Sequence, residues 1–171
     1  MTSIIRPERP GDEDAIRAIV TAAFPTPAEA RLVDALRDAG ALTVSVVAEQ
    51  DGALVGHVAF SPVTVGTNPR QIRVLGLAPV AVAPKMQKQG MGKMLIRTGL
   101  DAAGRVGAGA VILPGRVGYY SRFGFESAKA SGLTWGDGAH DDYLQVIGLG
   151  QNALDGLSGA VGYHTAFDTL Y

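Results

Sequence analysis

VAVAPKMQKQGMGKML, residues 80–95, is the stretch of this chain that decides its fold. Its first four residues, which are small and apolar, predict a strand, and Pro84 predicts a tight loop. The Gly-x-Gly spacing of Gly90 and Gly92 predicts a helix start. A helix start leaves backbone N–H groups unpaired, and together with the helix dipole they form a site for an anion, above all phosphate. Glycines there let a bulky anion approach the backbone. Three lysines of the same loop add positive charge: Lys85, Lys88 and Lys93.

Two nucleotide-binding motifs are excluded at their defining positions. The dinucleotide fingerprint needs a third glycine where this chain has Leu95. The P-loop needs a glycine and a hydroxyl residue where this chain has Gln87 and Met94. Two interpretations remain: a phosphate site of another kind, or an ordinary glycine-containing turn between a strand and a helix.

The pattern Gln-x-x-Gly-x-Gly, preceded by Val-x-Pro, resembles the acyl-coenzyme A loop of the GNAT superfamily of N-acetyltransferases. In that family the loop holds the pyrophosphate of the cofactor. The pattern is formed here by Gln87, Gly90 and Gly92, behind Val82 and Pro84. The resemblance implies acetyl-CoA as co-substrate, bound by Val80, Ala81, Val82, Gln87, Lys88, Gln89, Gly90, Met91, Gly92 and Lys93.

A second element of the same family, Tyr-x-x-x-Gly-Phe, follows the loop after one helix and one predicted strand. It is formed by Tyr120, Gly124 and Phe125, with Tyr119 before it. The chain is most similar to a bacterial subgroup with a Tyr-Tyr-x-Arg-Phe-Gly-Phe element and a closing Tyr-x-x-Ala-Phe, here residues 163–167. It lacks the asparagine that many members place at the end of the preceding strand, so we expect no cofactor contact from such a residue.

The resemblance implies direct attack of an amine on the acetyl thioester, which agrees with the absence of cysteine. In the family, a backbone N–H of the strand around Ala81 and Val82 stabilises the developing oxyanion. Tyr120 matches the position that contacts the cofactor and donates to the leaving thiolate. Since a tyrosine is a weaker acid than a thiol by about 2 kcal/mol, we expect Tyr120 to act mainly by hydrogen bonding. Tyr119 fits better as a packing residue.

The base that deprotonates the amine is less clearly marked. Residues 75–82 contain no acid, although many family members keep one there. His57 is the best alternative, because the pKa of histidine lies near working pH. A strand histidine that is hydrogen-bonded for structural reasons, with a water chain as the base, is the competing interpretation.

The hydrophobic pattern predicts an α+β fold. The predicted strands are 3–6, 42–49, 54–61 with an extension at 63–65, 72–82, 110–113, 143–149 and 160–163. The predicted helices begin near 12, 27 and 90. Asp51-Gly52 predicts a hairpin, and Thr26 with Glu29 predicts a capping box. The apolar face of the third helix is predicted to contain Met94, Leu95, Leu100 and Ala103. The resemblance implies one acyl-CoA N-acyltransferase domain over residues 1–171, with a central, splayed, mostly antiparallel mixed sheet and helices on both faces.

Composition narrows the partners. The net charge of −1 argues against a nucleic-acid partner, and the chain has neither an 18-residue apolar run nor a signal-peptide core, so we expect a cytoplasmic protein without membrane contact. We expect no metal, because the His140-Asp141-Asp142 sequence fits a solvated turn. The expected acceptor is an amine of a small molecule or peptide, and a catalytically idle acyl-CoA-binding module is the rival. A strand near the C-terminus could pair with a second copy.

Overall fold

The computed structural model describes residues 2–170, which form three helices and a mixed sheet of nine strands. The helices are Glu13–Ala23 (α1), Ala28–Asp38 (α2) and Met91–Arg105 (α3). The strands are Ser3–Pro7 (β1), Val44–Gln50 (β2), Ala53–Thr67 (β3), Arg73–Val82 (β4), Ala108–Pro114 (β5), Glu126–Ser127 (β6), Leu133–Trp135 (β7), Leu144–Gly148 (β8) and Ser158–Tyr163 (β9). The predicted α+β class is confirmed.

The sheet order is β1-β2-β3-β4-β5-β8-β6, and β9 pairs with both β3 and β7. Antiparallel pairing joins β1 to β2, β2 to β3, β3 to β9, β5 to β8 and β6 to β8. The pairs β4–β5 and β7–β9 are parallel. The parallel pairing of β4 extends from Arg73 to Gly76 and stops there, although the strand continues to Val82. A mixed, mostly antiparallel sheet is therefore what the sequence predicted.

The described chain is divided into two compact units. The first consists of residues 2–61, 78–102 and 165–170, and the second of residues 62–77 and 103–164. That the two units make up a single acyltransferase domain stays a prediction.

In the first unit, apolar residues at helical spacing bury one face of α1 and one face of α2. Their cluster contains Ile16, Ile19, Val20, Ala30, Val33, Val47 and Ala81. Helix α3 approaches β3 closely at Gly99, where an added Cβ would lie 2.5 Å from Cε1 of Phe60. The helix that follows the glycine loop is therefore fixed on the sheet by a residue without a side chain.

In the second unit, short strands enclose a separate apolar cluster. It contains Val63, Val74, Ala110, Ile112, Ala128, Leu133, Leu144, Val146, Leu157 and Val161. Strand β5 is central to this cluster because alternate residues of it, Ala110 and Ile112, are both fully buried there. The chain that follows β5 thus starts from a strand that is anchored in this cluster.

Several local predictions are confirmed. Asp51 and Gly52 join β2 to β3 with φ values of 49° and 85°, as a tight hairpin turn requires. Strand β3 continues through Pro62 into the predicted extension.

Among residues 2–170, no helix is both long enough and apolar enough to span a membrane.

Three predictions are wrong in detail. Thr26 does not form a capping box. Helix α2 begins at Ala28, whose N–H donates to Thr26 Oγ1 at 3.3 Å, and Glu29 Oε2 is buried with no hydrogen-bond partner in the described part of the chain. Met94 is 44% exposed, because the buried face of α3 runs through Leu95 and Ile96 instead.

The third error concerns the strand expected to pair with a second copy. Both candidates near the C-terminus already have neighbours on either side, since β9 lies between β3 and β7, and β8 lies between β5 and β6. A homodimer stays a prediction, but these strands do not support it.

Candidate active site

The loop between β4 and α3 is shaped by its own backbone and by two glutamine side chains. After Val82, residues Pro84–Met86 form one turn of 3-10 helix. The Nε2 group of Gln87 donates to the carbonyl oxygen of Val82 at 3.1 Å, and that of Gln89 donates to Lys85 O at 3.2 Å. Gln87 therefore ties the loop to the end of the strand.

The start of α3 presents unpaired backbone donors. Its first helical hydrogen bond is donated by Met94 N to Gly90 O at 3.1 Å. The amides of Met91, Gly92 and Lys93 precede that bond and have no carbonyl of the helix to donate to. Apart from the adjacent residues and the backbone of α3 itself, the one atom of residues 2–170 within 4 Å of a Cβ on Gly92 would be Val82 Cγ2, at 3.8 Å. The helix start is thus open on the side of Gly92.

Positive charge surrounds the same helix start. Lys85, Lys88 and Lys93 are exposed, and within residues 2–170 none of them is in an ion pair. Lys88 has a left-handed backbone with a φ of 62°. The helix dipole, free amides and unpaired lysines together favour an anion with several oxygens, such as a pyrophosphate.

In the last part of β4, residues 78–82, buried and half-buried residues alternate. Ala81 is buried in the apolar cluster of the first unit, whereas Val80 and Val82 are half-buried. No acidic side chain occurs from Leu75 to Val82. The only polar groups of residues 75–82 are therefore those of the backbone.

Tyr120 lies in the second unit, in a short 3-10 helix after β5. Its ring is in edge contact with those of Tyr119 and Phe125, at centroid distances of 4.9 Å and 6.0 Å. Burial raises the pKa of Tyr120, and the neighbouring Tyr119 acts in the same direction. Among residues 2–170 no hydrogen bond occupies the Tyr120 hydroxyl. Tyr120 is thus a protonated group with its donor free.

Tyr119 has a different environment. The guanidinium carbon of Arg122 lies 4.3 Å from the centre of the Tyr119 ring, and Arg122 Nε donates to Tyr119 O at 2.8 Å. This stacking fits the packing role expected for Tyr119. Gly124 ends the turn with a φ of 100°, a conformation that glycine adopts without strain.

His57 is fully buried on β3 and belongs to a polar network of the first unit. Its Nε2 lies 2.8 Å from Ser45 Oγ, which donates to Glu8 Oε1 at 2.8 Å, and Glu8 forms an ion pair with Arg37 at 2.8 Å. Burial lowers the pKa of His57 to about 4, with Glu8 raising it and Arg37 lowering it by smaller amounts.

The network fixes the tautomer of His57. Ser45 has one hydroxyl proton, which goes to the Glu8 carboxylate, and so Ser45 Oγ accepts from His57. Nε2 therefore carries the proton. The basic atom is Nδ1, which is buried and has no hydrogen-bond partner within residues 2–170. Glu8 and Ser45 were not predicted from the sequence; the available signal was Ser45, a polar residue between Val44 and Val46.

The residues of the predicted solvated turn have separate roles. Asp141 is largely buried and its Oδ1 accepts from the backbone N–H of Trp135 at 2.8 Å. Asp142 pairs with Lys129 at 3.3 Å, and the His140 ring lies 5.8 Å from that of Trp135. The Asp141 carboxylate thus stabilises the turn by accepting this hydrogen bond, and it is not solvated as predicted.

Comparison with known proteins decides the family. A model described as acetyltransferase (GNAT) domain matches residues 4–128, most of the chain. The chain belongs to the GNAT family. The uncharacterized N-acetyltransferase YhbS of Escherichia coli K12 is 40% identical to it over 166 residues, which are 96% of this chain and 98% of YhbS.

Two solved GNAT structures are also similar over nearly the whole chain. E. coli YhbS in complex with CoA superposes with a TM-score of 0.90 at 39% identity, covering 97% of this chain and 92% of that one. A GNAT acetyltransferase from Brucella melitensis in complex with acetyl-CoA gives a TM-score of 0.79 at 39% identity, covering 98% and 99%. The predicted GNAT fold is confirmed.

Proposed function

We propose that this GNAT protein transfers the acetyl group of acetyl-CoA directly to a primary amine of a small molecule or peptide. The observation that carries the proposal is the open start of α3, where three amides without helical acceptors lie beside unpaired lysines. The similar YhbS and Brucella proteins, which bind CoA and acetyl-CoA, support the same ligand.

In this proposal, the loop from Gln87 to Lys93 binds the pyrophosphate of acetyl-CoA. The amides of Met91, Gly92 and Lys93 donate to its oxygens, and Lys88 and Lys93 neutralise its charge. Gln87 acts indirectly because its side chain is committed to Val82 O. Gln89 likewise braces the loop through Lys85 O.

Two groups of this chain act on the thioester. Backbone N–H groups of β4 around Ala81 and Val82 stabilise the oxyanion that forms as the amine attacks. Tyr120 donates a hydrogen bond to the departing thiolate. Full proton transfer from an ordinary tyrosine to a thiolate is uphill by about 2 kcal/mol, and the raised pKa of Tyr120 makes it costlier. Hydrogen bonding is therefore the main contribution of Tyr120.

The base stays open between His57 and a water chain. At pH 7, forming the free amine from an alkylammonium costs about 4.6 kcal/mol, so a base is useful. His57 is a poor one here, since its pKa of about 4 makes Nδ1 weakly basic and burial removes it from solvent. These observations favour water as the base and a structural role for His57.

The rival function is an acyl-CoA-binding module without catalysis, which the absence of an acid on β4 favours. A cytoplasmic location and a homodimer also remain predictions and bear on neither alternative.

Calorimetric titration with acetyl-CoA, combined with a thiol-release assay over a panel of amines, separates the two functions. We expect saturable binding and amine-dependent release of CoA. Binding without release for every amine would favour the module, and an absence of binding would contradict both.

Matched variants make the titration specific to the loop. A Cβ at Gly92 meets only an ordinary contact, so Gly92→Ala should keep the thermal stability of the protein while weakening acetyl-CoA binding. Gly104→Ala is the control on the same helix, because an added Cβ there has no neighbour within 4 Å. Equal affinities in the two variants would contradict the proposed use of the α3 start.

A further inference from the structure

Gly115, the first residue after β5, lies directly against the ring of Tyr120. An ideal Cβ built on Gly115 would be 2.6 Å from Cε2 and 3.1 Å from Cδ2 of Tyr120, and 3.0 Å from Cδ1 of Leu113. Distances below 3.0 Å are essentially never seen for a real Cβ. A side chain at position 115 and the observed position of the Tyr120 ring are therefore incompatible.

The need for glycine here comes from contact and not from backbone conformation. Gly115 is outside the left-handed region, so other residues can adopt its backbone. Gly118, three residues later, is the opposite case: its φ is 94° and an added Cβ would meet nothing within 4 Å. The specific demand at Gly115 is the space that the Tyr120 ring occupies.

The backbone of Gly115 is held in place on both sides. Its N–H donates to Tyr143 O at 3.0 Å, which continues the antiparallel pairing of β5 with β8. Its carbonyl oxygen accepts from Nε2 of Gln145, a buried side chain of β8, at 3.1 Å. A retreat of Gly115 from a new side chain would therefore strain or break these two hydrogen bonds.

The Tyr120 ring is also restricted on its other sides. Tyr119, Phe123 and Phe125 have ring centroids 4.9, 6.2 and 6.0 Å from that of Tyr120. Restoring van der Waals distance to a new methyl group at position 115 would move the ring by about 1 Å. Cε2 is bonded to the carbon that carries the hydroxyl, so the hydroxyl would move with it.

We infer that Gly115 is a positioning residue for catalysis, because its missing side chain and its clamped backbone set where the Tyr120 hydroxyl lies. The inference rests on the proposed role of Tyr120 as donor to the thiolate. Gln145 contributes by holding the Gly115 carbonyl, and neither residue touches the reacting atoms in this arrangement.

A double-mutant cycle tests the inference. Steady-state kinetics are measured for the wild type, Gly115→Ala, Tyr120→Phe and the double variant. A misplacement of about 1 Å predicts a kcat about 10- to 100-fold lower in Gly115→Ala, with the KM for acetyl-CoA within about twofold of wild type. In the Tyr120→Phe background the same substitution should change kcat by less than about twofold, since the hydroxyl is already gone.

Different failures are distinguishable. If Tyr120→Phe lowers kcat but Gly115→Ala does not, Gly115 has no positioning role and the inference fails alone. If Tyr120→Phe has wild-type kcat, the proposed role of Tyr120 fails. Equal losses from Gly115→Ala in both backgrounds would mean that it acts independently of the hydroxyl, which would also overturn the inference.

A second variant and a structural measurement cover the case in which Gly115→Ala folds poorly. Gln145→Leu frees the Gly115 carbonyl without adding atoms beside Tyr120, and it should lower kcat less than Gly115→Ala, again only when Tyr120 is present. A crystal structure of either variant should show the Tyr120 hydroxyl displaced. A hydroxyl in its wild-type position would contradict the inference, whatever the activity.

Discussion

Tyr120 and His57 were both predicted to be catalytic, and the structure gives them opposite environments. Tyr120 is partly buried among aromatic rings, and within residues 2–170 nothing accepts a hydrogen bond from its hydroxyl. His57 is wholly buried, and its one N–H is committed to Ser45. Burial disfavours the charged form of both side chains. It raises the pKa of Tyr120, which keeps its proton, and lowers the pKa of His57, which stays neutral.

The difference shows what a buried polar group needs in order to act on a substrate. A donor that is fixed by packing and keeps its hydrogen free, like that of Tyr120, can respond to charge on an incoming group. A group whose hydrogen already completes a network, like His57 with Ser45 and Glu8, is expected to stabilise the fold rather than to act on a substrate. The two residues can be separated by experiment.

The largest effect is expected from Tyr120→Phe. Removing the hydroxyl keeps the ring that packs against Gly115 and Phe125, so the fold and acetyl-CoA binding should change little. Turnover should fall by about 10²- to 10³-fold, the usual loss when one positioned hydrogen-bond donor to a developing negative charge is removed. Amine-dependent release of CoA under saturating substrates measures it.

Tyr119→Phe is the matched control for that measurement, because it removes a hydroxyl from the adjacent ring and leaves the stacking with Arg122. Turnover near the wild-type value is expected for the control. Equal losses in the two variants would contradict a specific role for Tyr120.

A smaller effect is expected on stability as pH is lowered. The pKa of His57 is about 4 in the folded protein and about 6.5 in an unfolded chain, so below pH 6.5 the unfolded state binds the additional proton. The contribution of His57 to the free energy of unfolding has its full value above pH 6.5. It is lost as pH falls towards 4, by about 3 kcal/mol in total.

Chemical denaturation between pH 7 and 4.5 measures this loss, with His57→Gln as the comparison because its amide can still donate to Ser45. The free energy of unfolding of the variant should fall less steeply as pH is lowered. The difference in slope should correspond to about one proton fewer taken up on unfolding. Above pH 4.5 the lowered pKa of Glu8 contributes little, since its stabilising effect is lost only at lower pH. Parallel declines for both proteins would mean that His57 is not held neutral.

Sequence was a good guide where local chemistry determines structure. The proline, the glycines and the apolar spacing around residues 80–95 specify a strand, a loop and a helix whatever surrounds them, and all three are present. The order of Gln87, Gly92 and Tyr120 along the chain was enough to identify the family.

Sequence was a poor guide where a residue's role depends on distant partners. The network of His57 joins residues from β2, β3, α2 and the loop after β1, and no local pattern connects them. No local pattern singles out Gly115, because the contact that requires glycine comes from the ring of Tyr120, five positions later. Met94 was misplaced because periodicity alone leaves the exact rotation of α3 open.

The smallest effect is expected for turnover in His57→Gln. Because Nδ1 is enclosed and weakly basic, replacing the imidazole should change kcat by less than about threefold at pH 7, and the acidic limb of the pH–rate profile should stay where it is. The same preparation should show the altered pH dependence of stability described above. That result would show that the substitution changes the folded protein. A displaced limb, or a kcat loss as large as that of Tyr120→Phe, would instead make His57 the base and require β3 to open during turnover.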